Sequence, residues 1–490
     1  MTAAELDHGW RLGCALTLRR DTAIDVPQPA RSGAAKSFGG DDDVDAERVP
    51  PVEINSMAPP GHAVWGAAID LGTTTLAAAL VCLGNGRIGA ARSMLNPQAA
   101  HGADVIARIH VAGRDQASRE RLTAAVRRGI AELVEGMAHE LKAPRDEVVS
   151  AAVVGNPTML HLWTGADPSG LGVAPYQGLW TGAVHTRAEE VGLPILAAAP
   201  VYVMPCIRSH VGADAVAAAV ATGLDASDSA ALLIDLGTNS ELVLKSPSGT
   251  FAASAAAGPA FEGMGISCGM RAGEGAIDAL HLEPDGRWSV HVIGGKAPVG
   301  LCGSGLFDAV AELLRVGAID EGGYLRTGSE LGAGVGEALA NRIEVRNARR
   351  AVTLVEREGA APIALEATDI RQIQLASGAI RAAIEILCGE ARVAPADLAS
   401  VFVAGAFGGF VRKRSLIRLG MLPGVAAERV RAVGNAAGLG ARLALLDRRV
   451  RDRAERLASL TAYVELAGRA DYAEALTRSL RFPGAAAGRA

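Results

Sequence analysis

Two stretches of the chain share one pattern of apolar and polar positions. Val64–Ile69 runs into Asp70-Leu71-Gly72-Thr73 and then Leu76–Cys82; Ala230–Ile234 runs into Asp235-Leu236-Gly237-Thr238 and then Leu242–Leu244. Each reads as a strand, a tight Gly-Thr turn and a returning strand. Between and after them the period changes. Leu122, Val126, Ile130, Leu133, Val134, Met137 and Leu141 recur at helical spacing within Ala117–Lys142, whereas Val148–Val154 is a continuous β-branched run that predicts a buried strand. Val201–Met204 predicts a strand and Ala213–Thr222 an Ala-rich helix. In the second half the pattern predicts helices over Leu306–Val316, from Thr368 as N-cap to Ala391, and on to Leu446, with strands at Val401–Val403 and Val430–Val433. Residues 321–362 read as loop and short strands, and Arg448–Pro483 as a charged helical tail.

The two Asp-Gly-Thr units lie 165 residues apart, and each heads a hairpin followed by helix–strand units, the mark of an internal duplication. This predicts an α/β chain of two similar lobes, residues 63–229 and 230–446, whose turns face one cleft, with a helical tail over 447–490. Residues 1–27 are short and strand-like, and 28–62 shift to Pro, Gly, Ala and charge, which predicts a linker.

Composition narrows the class. At 490 residues the chain exceeds one ordinary core. Charged residues are 21% and the net charge is −5, which gives no electrostatic case for nucleic acid or an anionic membrane. The six cysteines are scattered, which suits a reducing cytoplasm, and the most apolar stretch, Leu193–Ile207, is broken by Pro194, Pro200 and Pro205.

The candidate chemistry sits at the turns. An acid at a strand end beside a donor-rich turn suits a phosphate with its Mg²⁺. Asp70 and Asp235 are therefore candidate catalytic residues and metal ligands, directly or through water, while Gly72, Thr73, Thr74, Gly237, Thr238 and Asn239 supply phosphate donors. Gly405, Gly408 and Gly409, with Gly434 and Asn435, offer close backbone approach to a nucleotide; Gly303 and Ser304 precede a helix whose N-terminus favours negative charge. Asn156 and Asp214 either face the cleft or cap turns, and Glu241 and Glu262 either orient an attacking water or sit in solvent. No Walker A lysine motif is present.

The arrangement resembles the superfamily of acetate and sugar kinases, Hsp70 and actin, with phosphate motifs at Asp70–Thr75 and Asp235–Glu241 and an adenosine motif at Val401–Gly409. Within it the chain is similar to the reductive activators of corrinoid proteins. Asn96-Pro97-Gln98, Gly102–Ile106, Gly155–Met159, Val211–Asp214, Ala257–Gly263, Cys302–Leu306 and Val433–Gly438 carry that likeness, in consistent order from about Trp65 to Leu446. The resemblance implies two ribonuclease-H-like lobes around an ATP cleft and ATP hydrolysis coupled to returning a Co(II) corrinoid to Co(I). It also implies a corrinoid-binding protein or corrinoid methyltransferase as partner, an external electron donor, and room for a homodimer. Family members carry an N-terminal domain with a 2Fe-2S cluster on four cysteines. Here Gly9–Cys14 resembles the last of them, and Cys14 alone cannot hold a cluster. The expectation is a misplaced start or a truncated form fed by a separate donor, the first being favoured. A metabolite kinase and a nucleotide-dependent binding module remain the alternatives on this fold.

Overall fold

The computed structural model describes residues 63–331, 336–346, 349–405 and 412–484; Cys14, the first 62 residues, Gly408 and Gly409 lie outside them. The first half runs β1 (Trp65–Leu71), β2 (Thr75–Cys82), β3 (Ile88–Leu95), α1 (Val105–Ala112), α2 (Gln116–Leu141), β4 (Val148–Gly155), α3 (Pro157–Thr164), β5 (Val184–Arg187), β6 (Pro200–Val203) and α4 (Ala213–Ala221). Its sheet has the order β3-β2-β1-β4-β6-β5. β1 pairs antiparallel with β2 and parallel with β4.

The second half repeats this plan: β7 (Ala231–Asp235), β8 (Ser240–Ser246) and β9 (Gly249–Ala255) come first. An inserted pair of small sheets follows, built from β10 (Ala276–Leu282), β11 (Trp288–Val292), β12 (Gly300–Leu301), α5 (Gly303–Arg315), β13 (Ile343–Arg346), β14 (Arg349–Val355) and β15 (Ile363–Glu366). The chain then returns through α6 (Ala367–Ala391), β16 (Ser400–Ala404), α7 (Lys413–Arg418), β17 (Val430–Gly434) and α8 (Ala436–Leu446). The second large sheet reads β17-β16-β7-β8-β9 with β18 (Thr461–Tyr463) beyond β9, and from β9 back to β17 it matches β3-β2-β1-β4-β6 of the other lobe strand for strand. The fold is thus two actin-like lobes.

Three readings of the sequence need correction. The tail is not all helix: after α9 (Arg448–Leu460) the chain adds β18 (Thr461–Tyr463) parallel to β9, then α10 (Ala470–Ser479). The N-cap of α6 is Glu366, not Thr368, because Asp369 returns a bond to the Glu366 amide at 2.8 Å and closes a capping box. And α5 starts at Gly303 itself, so Gly303-Ser304 form its first turn.

The period-2 pattern of β7 and β8 decides how the lobes meet. Leu232, Ile234, Leu242 and Leu244 face the second lobe's own core, while Leu233 and Val243 join the core of the first. Between the sheets lie α4 and α8, rich in small residues, and Ala213–Ala219 pack in one cluster with Ala436, Ala437, Ala441 and Ala444. The closeness is set at Gly440, where a Cβ would stand 2.3 Å from the Ala217 carbonyl oxygen. C-terminal residues also clasp the first lobe, Arg453 pairing with Asp225 at 2.5 Å and Arg442 donating to the Gly86 carbonyl at 2.7 Å. Gly440→Val should therefore force the crossing apart and cost about 1–3 kcal/mol by overpacking. Urea unfolding measures it, and a wild-type midpoint would show that the crossing has slack.

Candidate functional site

In each lobe the acid closes a strand at the sheet's centre. Asp70 pairs across the hairpin with Ala77 and lies beside Val154 on the parallel neighbour; Asp235 pairs with Glu241 and lies beside Ala404. Both neighbouring strands run straight into glycine, Gly155 and Gly405. At Gly405 the requirement is explicit: φ is +100°, and a Cβ would stand 2.5 Å from the Leu236 carbonyl oxygen and 2.8 Å from Asp235 Oδ1. Gly405 also donates its amide to the Gly434 carbonyl at 3.0 Å, which joins the two glycine turns the sequence singled out.

The two hairpin turns converge on one side chain. Glu262 accepts from Thr74 Oγ1 at 2.9 Å through one carboxylate oxygen and from Thr238 Oγ1 at 2.7 Å through the other. Thr74 belongs to the first lobe and Thr238 to the second, and Glu262 itself is 8% exposed. A second bridge runs from Asn435 Nδ2 to Asp70 Oδ2 at 3.3 Å, while Asn435 Oδ1 caps α8 at the Gly438 amide. Asn156, the N-cap of α3, reaches Thr73 Oγ1 at 2.9 Å. So Asp70, Thr73, Thr74, Asn156, Thr238 and Asn435 do come together. Gly72, Gly237, Asn239, Asp235, Gly405 and Gly434 are each half-buried.

Two candidates stand differently. Gly303 and Ser304 are buried, and a Cβ at Gly303 would overlap the Phe261 carbonyl oxygen at 1.9 Å. These residues let α5 press against the short turn Pro259–Glu262. Glu241 sits among other acids. Burial first, then the charges of Asp214 and Asp235, push its carboxyl well above the usual carboxylate range against one bond from Ser254 at 3.3 Å.

Sequence reasoning treated Glu262 as one of two uncertain carboxylates and missed two groups behind the first turn. Asn96 takes the Thr74 carbonyl on its amide at 2.9 Å and donates through Nδ2 to the Gly72 carbonyl at 3.0 Å, which fixes the turn from both ends. Gln98 Oε1 links Asn96 to Arg108, a guanidinium with 0% exposure. The signal for Arg108 was present: it shares the inward face of α1 with Val105, Ile109 and Ala112, where a charge has no business without a task.

The donor set fits a magnesium-bound phosphate. Among the described residues no group of three or more His, Cys, Asp or Glu side chains could cage a metal. Mg²⁺ takes one or two carboxylates and completes its shell with water and phosphate, which is what Asp70 and Asp235 beside donor-rich turns can offer. Among the described residues the cysteines form no group of three or more that could hold an iron–sulfur cluster. Burial pushes the Cys268 and Cys388 thiols up to about 12 and raises those of Cys206 and Cys302. A cavity of about 500 Å³ between Pro175, Tyr176, Arg208, Tyr463 and Glu465 is lined by none of the turn residues. No helix among the described residues is long and apolar enough to cross a membrane.

Known proteins share this architecture. A family model described as the C-terminal domain of RACo, the ASKHA domain, matches residues 229–489, and one for the RACo middle region matches 65–227. The corrinoid activation enzyme RamQ of Eubacterium limosum is 34% identical over 408 residues, covering 82% of this chain and 68% of its own. The [Co(II) methylated amine-specific corrinoid protein] reductase of Methanosarcina barkeri is 28% identical over 365 residues, 68% of this chain and 62% of its own. Among solved structures, a reductive activator for corrinoid, iron-sulfur protein superposes with a TM-score of 0.78 at 32% identity, over 87% of this chain and 67% of that one.

The raised Glu241 carboxyl carries a pH signature. The unfolded chain releases this proton near its usual 4.5, whereas the fold retains it to higher pH. Stability from this group is full below 4.5, falls as pH rises from there to the raised folded value, and is level above it. Glu241→Gln removes the fall, so its melting temperature should exceed the wild type's at neutral pH and converge with it in acid. Parallel pH profiles would contradict the assignment.

Proposed function

Because the chain belongs to the RACo family, we propose that it is an ATP-dependent activator that returns a corrinoid protein from Co(II) to Co(I). The observation that carries the ATP half is the convergence of both Asp-Gly-Thr turns on the Glu262 carboxylate. The names of the relatives, which span more sequence than this chain covers, support the corrinoid half. In this reading Asp70 and Asp235 hold Mg²⁺ directly or through water, and the Thr73, Thr74, Thr238 and Asn239 turns take the phosphates. Gly405 and Gly434 admit the nucleoside beside backbone, and Asn156 and Asn435 orient Thr73 and Asp70. Bound Mg²⁺ would neutralise phosphate charge as water attacks.

The reduction itself adds one electron to cobalt, supplied by a low-potential one-electron donor, and ATP with water gives ADP and phosphate. For a one-electron step, each 59 mV uphill lowers the equilibrium about tenfold. Hydrolysis helps only if the nucleotide states of this protein differ in affinity for the two cobalt states of the partner. Lobes joined through the turns that hold the phosphates supply such a difference, since whatever moves Thr74 against Thr238 moves the surfaces above them.

Mixing the protein with a Co(II) corrinoid protein, a low-potential reductant and Mg-ATP should give the Co(I) absorbance spectrum. Asp70→Asn or Asp235→Asn should slow that by on the order of 10²–10³, the usual loss when one preorganised electrostatic group is removed. A yield indifferent to ATP, or phosphorylation of a small metabolite instead, would overturn the proposal.

A further inference from the structure

Two buried charged groups stand behind the turns, and their arrangement is incomplete as it stands. Glu262 spends both oxygens on the hydroxyls of the two phosphate-type turns, Thr74 and Thr238. Arg108 is fully enclosed, donating from Nε to the Gly102 carbonyl at 2.9 Å and from one amino nitrogen to Gln98 Oε1 at 3.2 Å and Met159 Sδ at 3.1 Å. Its other amino nitrogen is buried and has no hydrogen-bond partner. Burial pulls the guanidinium down to about 10, and the charges that oppose this are those of Asp104 and then Glu262. The same bond series that holds Arg108 runs through Gln98 and Asn96 to the carbonyls of Gly72 and Thr74, so the cation is anchored to the turn whose hydroxyl Glu262 occupies.

A carboxylate accepting from two turn hydroxyls occupies the seat a terminal phosphate oxygen would take. Two anions cannot share those donors, since like charges in contact repel, and more strongly at a buried site than in water. A buried guanidinium nitrogen without a partner, in turn, is costly to keep.

Resting on the nucleotide reading above, we infer that Glu262 and Arg108 are the residues that distinguish a nucleoside triphosphate from a diphosphate. Without a terminal phosphate, Glu262 ties Thr74 to Thr238. When that phosphate arrives it takes both hydroxyls, Glu262 is displaced, and the idle nitrogen of Arg108 receives the carboxylate. The exchange lets the cleft read one phosphate group as a change in what links the two lobes. Glu262 is a specificity residue here, and Arg108 a positioning residue that acts through it.

Calorimetric titration of the full chain with a non-hydrolysable Mg-ATP analogue and with Mg-ADP tests the exchange. Glu262→Gln keeps the shape and removes the competing charge, so analogue affinity should rise about tenfold relative to ADP, a 1.4 kcal/mol change. Arg108→Met should lower analogue affinity with ADP unchanged, and the loss should vanish in the Glu262→Gln background, since no displaced charge then needs a partner. Arg108→Lys, which keeps the charge, covers the case in which Arg108→Met fails to fold, and should fall between wild type and Met. An unchanged analogue-to-ADP ratio in Glu262→Gln overturns the exchange while leaving the nucleotide site standing. An Arg108 loss that persists in the double variant also overturns it, placing the guanidinium on the phosphate instead. If the wild type binds neither nucleotide, the nucleotide reading and the exchange fall together.

Discussion

One carboxylate shared between two hydroxyls 164 residues apart is the contact on which the cleft depends. Glu262 makes Thr74 and Thr238 neighbours, and everything that locates Glu262 locates the cleft. Phe261 and Phe307 stack at 4.8 Å beneath its turn, Gly303 lets α5 come against the Phe261 carbonyl, and Gly263 turns the chain away at φ +69°. On the other side Asn96 holds the first turn by both carbonyls. Charge-assisted bonds of this kind are strong where water is excluded and are easily traded for an equivalent anion. That combination, firm yet exchangeable, is what a nucleotide-operated hinge requires.

The helices between the lobes supply the complementary constraint. Alanines and Gly440 bring α4 and α8 close enough that Leu233 and Val243 of the second lobe share a core with the first. The lobes are consequently packed at their base through small side chains and linked at their mouth through Glu262 and Asn435. Small-residue crossings tolerate little added volume, since a methyl at Gly440 meets backbone.

Much of this was legible in the sequence because the responsible interactions are local. The repeated Ile-Asp-Leu-Gly-Thr shows itself as strand and turn, Asn156 caps α3 in one of the two roles open to it, and the duplication is visible in spacing alone. The misreadings have one physical origin. Gly303-Ser304 before a helix looks the same whether the backbone must approach a phosphate or the Phe261 carbonyl, and only the fold says which. Thr368 and Glu366 are both plausible caps, and the return bond from Asp369 chooses between them. Strand β18 is three residues long and borrows its conformation from β9. Glu241 owes its setting, buried and facing Asp214 of the other lobe as well as Asp235, to the fold alone. Glu262 and Arg108 owe their environment to chain segments far away, which periodicity cannot report.

The account stands or falls on whether a single nucleotide engages both turns at once. A crystal structure of the protein with Mg²⁺ and a non-hydrolysable ATP analogue measures this directly. The account predicts the terminal phosphate between Thr74 and Thr238, with Asp70 and Asp235 turned to the metal. A nucleotide seated on one lobe alone, with Glu262 still holding both threonines, would contradict it.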